Sequence, residues 1–287
     1  MTAAIRPRRS VLFMPGSNSR ALQKAKTLGA DALILDLEDA VAPDAKEAAR
    51  AQVCEVVKSR PFGKREVIVR INALDTQWGE HDAVAVAAAG PDAVLLPKVS
   101  SPRDIHKLEH RLAGAPCIAL WAMIETPLAI LNIAALAGAG GRLSCLVMGT
   151  NDLVKQMGAR HMPDRLNLAA ALGLMVLAAR AHGLCAIDGV FNDIADAGGF
   201  AVACAEGRSF GFDGKTLIHP DQIEPCNGAF APSPEELAEA RKIVAAFELS
   251  ENKGKGAIKL DGRMVELLHA ESARRIIALG EAIDAMR

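Results

Sequence analysis

Short apolar runs alternate along the chain with amphipathic stretches, and eight of them can be counted, at 11–15, 32–37, 67–71, 93–97, 118–124, 145–149, 185–190 and 215–220. Runs this continuously hydrophobic are what parallel strands buried on both faces require, whereas a sheet with one wet face alternates. The segments between them carry helical spacing. Residues 20–28 end at Gly29 and residues 166–181 at Gly183, where glycine tolerates the left-handed turn that stops a helix. Eight such units predict an α/β fold, a (β/α)8 TIM barrel over residues 1–230, with the eighth run the weakest of the set. Beyond it Pro232 and Pro234 open a helix at 235–249, Gly254 and Gly256 break the chain, and a last helix is predicted at 264–286. Eight strands close without residues 231–287. That segment therefore reads as a C-terminal helical extension, either a lid over the barrel mouth or an arm for a neighbouring subunit.

Composition narrows the function. A chain of 287 residues, 51% of them hydrophobic, has enough apolar material for one large core. Charged residues are spread evenly to a net −1, which gives no basic face for nucleic acid and favours a small-molecule partner. The basic opening MTAAIRPRRS is followed only by VLFMPG, too short for a signal peptide's apolar segment, and no run approaches the ~18 apolar residues of a membrane span. A cytoplasmic protein without membrane contact is expected. The six cysteines contain no C-x-x-C pair and several lie in strand-like runs, so they read as buried free thiols.

In a barrel of this kind chemistry collects where strands end and loops begin. The predicted strand ends are polar: Asp36, Glu38 and Asp39 on the second, Arg70 and Asn72 on the third, Lys98, Glu125, Asp152 and Asp188 on the next four. Some of these could simply cap helices or pair with each other. Glu125 and Asp152 end adjacent strands with no histidine or cysteine cluster beside them, a hard-oxygen set suited to Mg2+ or Mn2+; the rival is an acid/base pair without metal. Arg70 projects from a buried strand and needs an anion, either a substrate oxygen or Glu38 or Asp36. Lys98 follows an apolar run and could form a Schiff base with a carbonyl substrate, or bridge to a rim carboxylate. His161, His182, His219 and His269 are scattered without metal-site spacing, and His219 beside Pro220 reads as a hydrogen bonder at the rim. The stretch GSNSR after the first strand lacks either glycine-rich nucleotide signature and is a weak phosphate motif, with Arg20 and Lys24 as possible partners.

The segments RSVLFMPGSN, LILDLEDAV, VIVRINALDT, LLPKV, AMIETP, MGTNDL and GFDGKTLIHP, in this order, resemble the citrate lyase beta-subunit-like (HpcH/HpaI aldolase/citrate lyase) family. TQWG, LWAMIET, GTNDL and GRMVELLH are most similar to its malyl-CoA lyase-like and malyl-CoA thioesterase-like branch. The resemblance implies a magnesium-dependent barrel enzyme acting on CoA thioesters and 2-oxo acids, assembled as a homotrimer or hexamer. It implies Glu125 and Asp152 as metal ligands, Arg70 as a catalytic residue on the substrate, and Asp36, Glu38 and Asp39 as a second acidic cluster, Glu38 catalytic and the two aspartates substrate-binding. Gly149, Thr150 and Asn151 match the turn that receives a keto-acid carboxylate. Relatives carry a catalytic Asp in a G-x-M-[IV]-D pattern delivered to the adjacent subunit, and here Glu266 stands in its place; without the resemblance Glu266 would read as a solvated acid at a helix start. The function expected is a carbon–carbon lyase on a short 3-hydroxyacyl-CoA such as malyl-CoA or citramalyl-CoA. The alternatives are a malyl-CoA-type thioesterase on the same scaffold, a metal-free aldolase through Lys98, and a non-catalytic binding or complex subunit.

Overall fold

A computed structural model of the chain describes residues 5–286. It divides into two compact units, one spanning Arg8–Phe230 and the other containing the residues from Ala231 onward. In the first unit eight strands close into a parallel barrel in chain order: β1 (Ser10–Pro15), β2 (Ala32–Asp36), β3 (Glu66–Arg70), β4 (Ala93–Leu96), β5 (Ala119–Ile124), β6 (Leu143–Met148), β7 (Cys185–Asp188) and β8 (Gly214–Leu217). Parallel pairing of β8 with β1, Ser10 opposite Lys215, completes the ring. The predicted TIM barrel is therefore present, and each strand lies on its apolar run. The runs at 185–190 and 215–220 overshoot because the chain leaves the sheet at Asp188 and Leu217.

The continuity of those runs has a direct cause. Alternate strand residues, among them Val11, Ile34, Ile68, Leu95, Trp121, Val147 and Ile187, fill the barrel interior, while Leu12, Leu33, Leu35, Val69, Val94, Leu120 and Leu146 face outward into the layer beneath the helices. Both faces of each strand are thus in apolar contact. Where the strands begin, Arg8 binds Glu66 at 2.6 and 2.8 Å and stacks over Trp121 at 4.9 Å, so a salt bridge and an indole plug that end of the barrel.

Two members of the predicted polar ring do not face the mouth. The strand period of two sends Asp188 outward because Ile187 faces inward, and its carboxylate meets Arg165 at 2.8 Å and Lys215 at 2.8 Å beneath the helices. These cations hold the carboxyl below its ordinary range despite complete burial. Asn72 is tied behind the loops, accepting from Lys46 at 2.8 Å and donating to Asp82 at 2.6 Å. Both residues build the scaffold.

In the second unit the helix Pro234–Glu248 opens with a capping box between Ser233 and Glu236. The last helix is Leu267–Met286, and residues 257–266, partly assigned to that helix from the sequence, form an antiparallel hairpin of β9 (Ala257–Leu260) and β10 (Arg263–Glu266). The cause is the Asp261–Gly262 pair, whose φ values of 47° and 79° fit a tight two-residue hairpin turn. Phe247, Ile258 and Ala270 join helix, hairpin and helix in a small core. Among the described residues no helix is long and apolar enough to cross a membrane. All six cysteines are free thiols; Cys54, Cys145, Cys204 and Cys226 are buried as expected, whereas Cys185 is half-buried and Cys117, in the loop before β5, is exposed.

Candidate active site

A cavity of about 320 Å³ opens where the strands end, and it collects most of the predicted residues: Asp36, Asp39, Arg70, Glu125, Gly149, Thr150, Asn151 and Asp152 all line it. Phe13, Met123, Met148 and Thr216 supply further wall. Phe13 points inward from β1 with Val11, a direction the continuous apolar run did not reveal; nothing in the pattern singled out Thr216 either, whose hydroxyl donates to the Asp188 carbonyl at 3.0 Å.

Arg70 ends β3 in the midst of acids. Its Nε and Nη2 each meet the Asp36 carboxylate at 2.7 Å, and Nη1 lies 2.9 Å from Glu38 and 3.3 Å from Asp39. The guanidinium stacks on Phe13 at 4.8 Å. Burial opposes its charge, but Asp36, Glu38 and Asp39 together hold it protonated well above its ordinary range. Asp36 also accepts the backbone N–H groups of Glu38 and Ala40 at 2.9 and 3.1 Å, so one carboxylate fixes both the arginine and the loop that carries the acidic cluster. Burial opposes the ionisation of Asp36 as well, and Arg70 outweighs it, holding the carboxyl low.

Glu125 and Asp152 meet at Lys98. The ammonium lies 2.8 Å from Asp152, 3.6 Å from Glu125 and 3.6 Å from Glu38, while the Lys98 backbone N–H donates to Glu125 at 2.7 Å. Lys98 has φ 54°, in the left-handed region, a conformation that costs a residue with a side chain roughly 1–2 kcal/mol. Burial works against its charge, yet the hydrogen bond to Asp152 and the nearby glutamates keep it protonated above its ordinary range. A Schiff-base lysine needs the opposite shift, so this geometry favours the rim ion pair of the two roles open from the sequence. Gly149 makes the meeting possible: a Cβ there would sit 2.4 Å from the Cβ of Glu125, closer than any side chain tolerates.

The carboxylates bear the cost of crowding. Burial raises Glu125 despite Lys98 and the Lys98 N–H. Burial, aided by Asp39 and Glu125 and opposed by Arg70 and Lys98, pushes Glu38 up to about 7 from 4.5. Its Oε2 is buried and, although near Arg70, lacks a hydrogen bond of acceptable alignment. Between pH 4.5 and 7 the folded protein thus holds a proton that the unfolded chain releases, so stability falls as pH rises through that window. Glu38→Gln should melt like the parent near pH 5 in EDTA and be more stable above pH 7 by on the order of 3 kcal/mol. Equal urea midpoints at both pH values would contradict this.

The donor set fits a hard divalent cation. Glu125 and Asp152 present carboxylate oxygens to a shared point with a surplus of negative charge around it, and no group of three or more metal-ligating side chains occurs among the described residues. Magnesium typically takes one or two protein carboxylates and keeps its remaining positions for water and substrate. His219 stands at the rim as expected, its ring accepting from the Asp221 N–H at 3.3 Å. In the GSNSR stretch Asn18 caps the short helix Ser19–Ala25. Asn151 pairs with Asn192 across the rim at 2.8 and 3.2 Å, a partner the sequence did not suggest. Glu266 lies in the other unit, at the end of β10, with its N–H donating to the His269 ring at 2.9 Å.

Comparison with known proteins places these features. Residues 9–220 match the family model described as HpcH/HpaI aldolase/citrate lyase. The chain is 51% identical to a (3S)-malyl-CoA thioesterase of Cereibacter sphaeroides over 98% of its own length and 97% of the relative's. It is 35% identical to the citrate lyase subunit beta of Escherichia coli, over 96% of this chain and 94% of that one. Among solved structures, the CitE protein of Mycobacterium tuberculosis in complex with magnesium, acetoacetate and coenzyme A superposes with a TM-score of 0.76 at 32% identity, covering 96% of this chain and 99% of that one. On this evidence the chain belongs to the HpcH/HpaI aldolase/citrate lyase family.

Proposed function

We propose that the protein is a magnesium-dependent enzyme that hydrolyses the thioester of a short 3-hydroxyacyl-CoA of the malyl-CoA kind. The observation that carries this is the 51% identity with a (3S)-malyl-CoA thioesterase along nearly the whole of both chains, extending past the barrel through the segment bearing Glu266. The site suits it. Glu125 and Asp152 would hold Mg2+, or Mn2+, which when bound supplies Lewis-acid polarisation of a substrate oxygen. The turn Gly149–Thr150–Asn151 receives the carboxylate of the acid portion at the cavity wall. Arg70, fixed by Asp36, faces the thioester oxygen and stabilises the negative charge that develops when water adds to the carbonyl carbon. Glu266, from a neighbouring subunit of a homotrimer or hexamer, takes the water's proton; Glu38 serves as a buffer behind Arg70 and Lys98. Glu266 returns that proton to the sulfur as the carbon–sulfur bond breaks, and CoA leaves as a thiol beside the free hydroxy acid. Free thiols throughout the chain suit the cytoplasm as its location.

The carbon–carbon lyase expected from the sequence is the second reading, favoured by the 35% identity with the citrate lyase beta subunit. In it the same groups act on different atoms: the substrate hydroxyl gives its proton to Glu266, the carbon–carbon bond breaks, and Arg70 stabilises the thioester enolate while Glu266 returns the proton to its α-carbon. Product analysis with malyl-CoA and citramalyl-CoA, with and without Mg2+, separates the two. We expect free malate or citramalate together with CoA, formed only with the cation. Acetyl-CoA appearing with glyoxylate or pyruvate would establish the lyase instead.

A further inference from the structure

Lys98 does more at this site than a rim ion pair requires. Its ammonium stands between the two carboxylates assigned to the cation, 2.8 Å from Asp152 and 3.6 Å from Glu125, and so occupies the place where positive charge is wanted. We propose that Lys98 is a built-in counter-ion of the cation site, holding Glu125 and Asp152 together before the divalent cation arrives and yielding to it on binding, so that this side chain sets the metal affinity. The proposal rests on the reading that Glu125 and Asp152 hold the metal.

Three features of the geometry carry it. The backbone at Lys98 is left-handed, where glycine would sit without strain, so the chain accepts a strained residue at a point from which its side chain reaches both carboxylates. The residue also grips Glu125 twice, through its backbone N–H at 2.7 Å and its ammonium at 3.6 Å. The N–H bond stays in place when the ammonium leaves, which keeps Glu125 oriented as a ligand. Finally, the ammonium has room to go. The Lys98 side chain is 34% exposed and that of Asp152 28%, whereas Glu125 is 1% exposed. Arg70 cannot take its place, being already engaged with Asp36, Glu38 and Asp39. Glu125 and Asp152 therefore share the single charge of Lys98, and exchanging it for a divalent cation improves the charge balance.

The chemistry predicts an increase in metal affinity on mutation. In Lys98→Met the competitor is gone while most of the side chain's length is kept; in Lys98→Gly it is gone and the backbone strain with it, which offsets part of the cost of leaving Glu125 without its cation. Mn2+ titration of the metal-free protein, read by electron paramagnetic resonance and repeated with Mg2+ by calorimetry, should give a Kd at least about tenfold lower for both variants, or roughly 1.4 kcal/mol. Lys98→Arg, which keeps the charge, should remain near the parent value. Glu125→Gln serves as the control and should abolish binding. Unchanged or weaker binding in both Lys98→Met and Lys98→Gly, with Glu125→Gln inactive in binding, would overturn the counter-ion role and leave the metal assignment standing. Absence of binding in the parent and in every variant would overturn both.

Discussion

Exchanging Glu125 for Gln and Asp152 for Asn together is expected to lower turnover by about three orders of magnitude or more and to abolish divalent-cation binding, because Lewis-acid stabilisation of several kcal/mol is lost. The amides keep the shape of the carboxylates, remove their charge and leave one acceptor oxygen on each. A Gln oxygen at 125 can still accept the Lys98 N–H now bound at 2.7 Å, so the loop geometry is retained. Nor should the barrel be weakened: burial already disfavours the ionised form of Glu125, and its neutral amide removes that penalty. Thermal melting of the double variant in EDTA should therefore show a folded barrel, the gain at Glu125 offset by loss of the Asp152–Lys98 ion pair. The parent stripped with EDTA should behave like the variant and recover with Mg2+, which the variant does not. Full activity of the parent after exhaustive stripping would remove the metal from the mechanism.

The barrel and the site were legible in the sequence to different depths, for physical reasons that particular residues expose. Strand positions could be read because burial on both faces leaves no alternative to continuous apolar runs, as with Leu33, Ile34 and Leu35 in β2. The same continuity hides direction. At β7 the run gives no sign that Ile187 faces inward and Asp188 outward, so an acid of the scaffold was placed in the ring of the mouth. The hairpin of the second unit was signalled by Asp261–Gly262 between alternating residues, yet the strong helical period after Leu267 drew the expected helix back over Met264. Lys98 marks the deeper limit. Its residue type allowed a nucleophile or an ion pair, and the choice between them depends on a positive φ and three carboxylates brought from separate strands, none of which is a local property of the chain.

Glu266→Ala is expected to reduce kcat by about 10²–10⁴, the usual worth of a general acid or base, while leaving the barrel's stability and its metal affinity unchanged. The residue sits on a hairpin whose neighbours are poorly covered in this chain: Met264 is 71% exposed, and Leu267 and Leu268 are about half exposed. Apolar side chains flanking a carboxylate suit a surface that docks on another molecule of the same protein, and with the assembly that the family resemblance implies, sedimentation should give a trimer or a hexamer. Complementation tests the sharing of the site. Arg70 is a poor choice for the inactive barrel, since removing it would leave Asp36, Glu38 and Asp39 buried without their cation. Glu125→Gln avoids that problem. Mixed with Glu266→Ala subunits, it should restore part of the activity, because some interfaces then join an intact barrel to an intact tail. Glu266→Asp adds a second criterion, as the shorter side chain withdraws the carboxylate by about 1.5 Å, and misplacement on that scale can cost a hundredfold in rate. It should slow hydrolysis, and any lyase product it gained would mean that the longer acid directs the site toward water. Near-normal turnover by Glu266→Ala on malyl-CoA would return the residue to the role of a solvated acid before a helix.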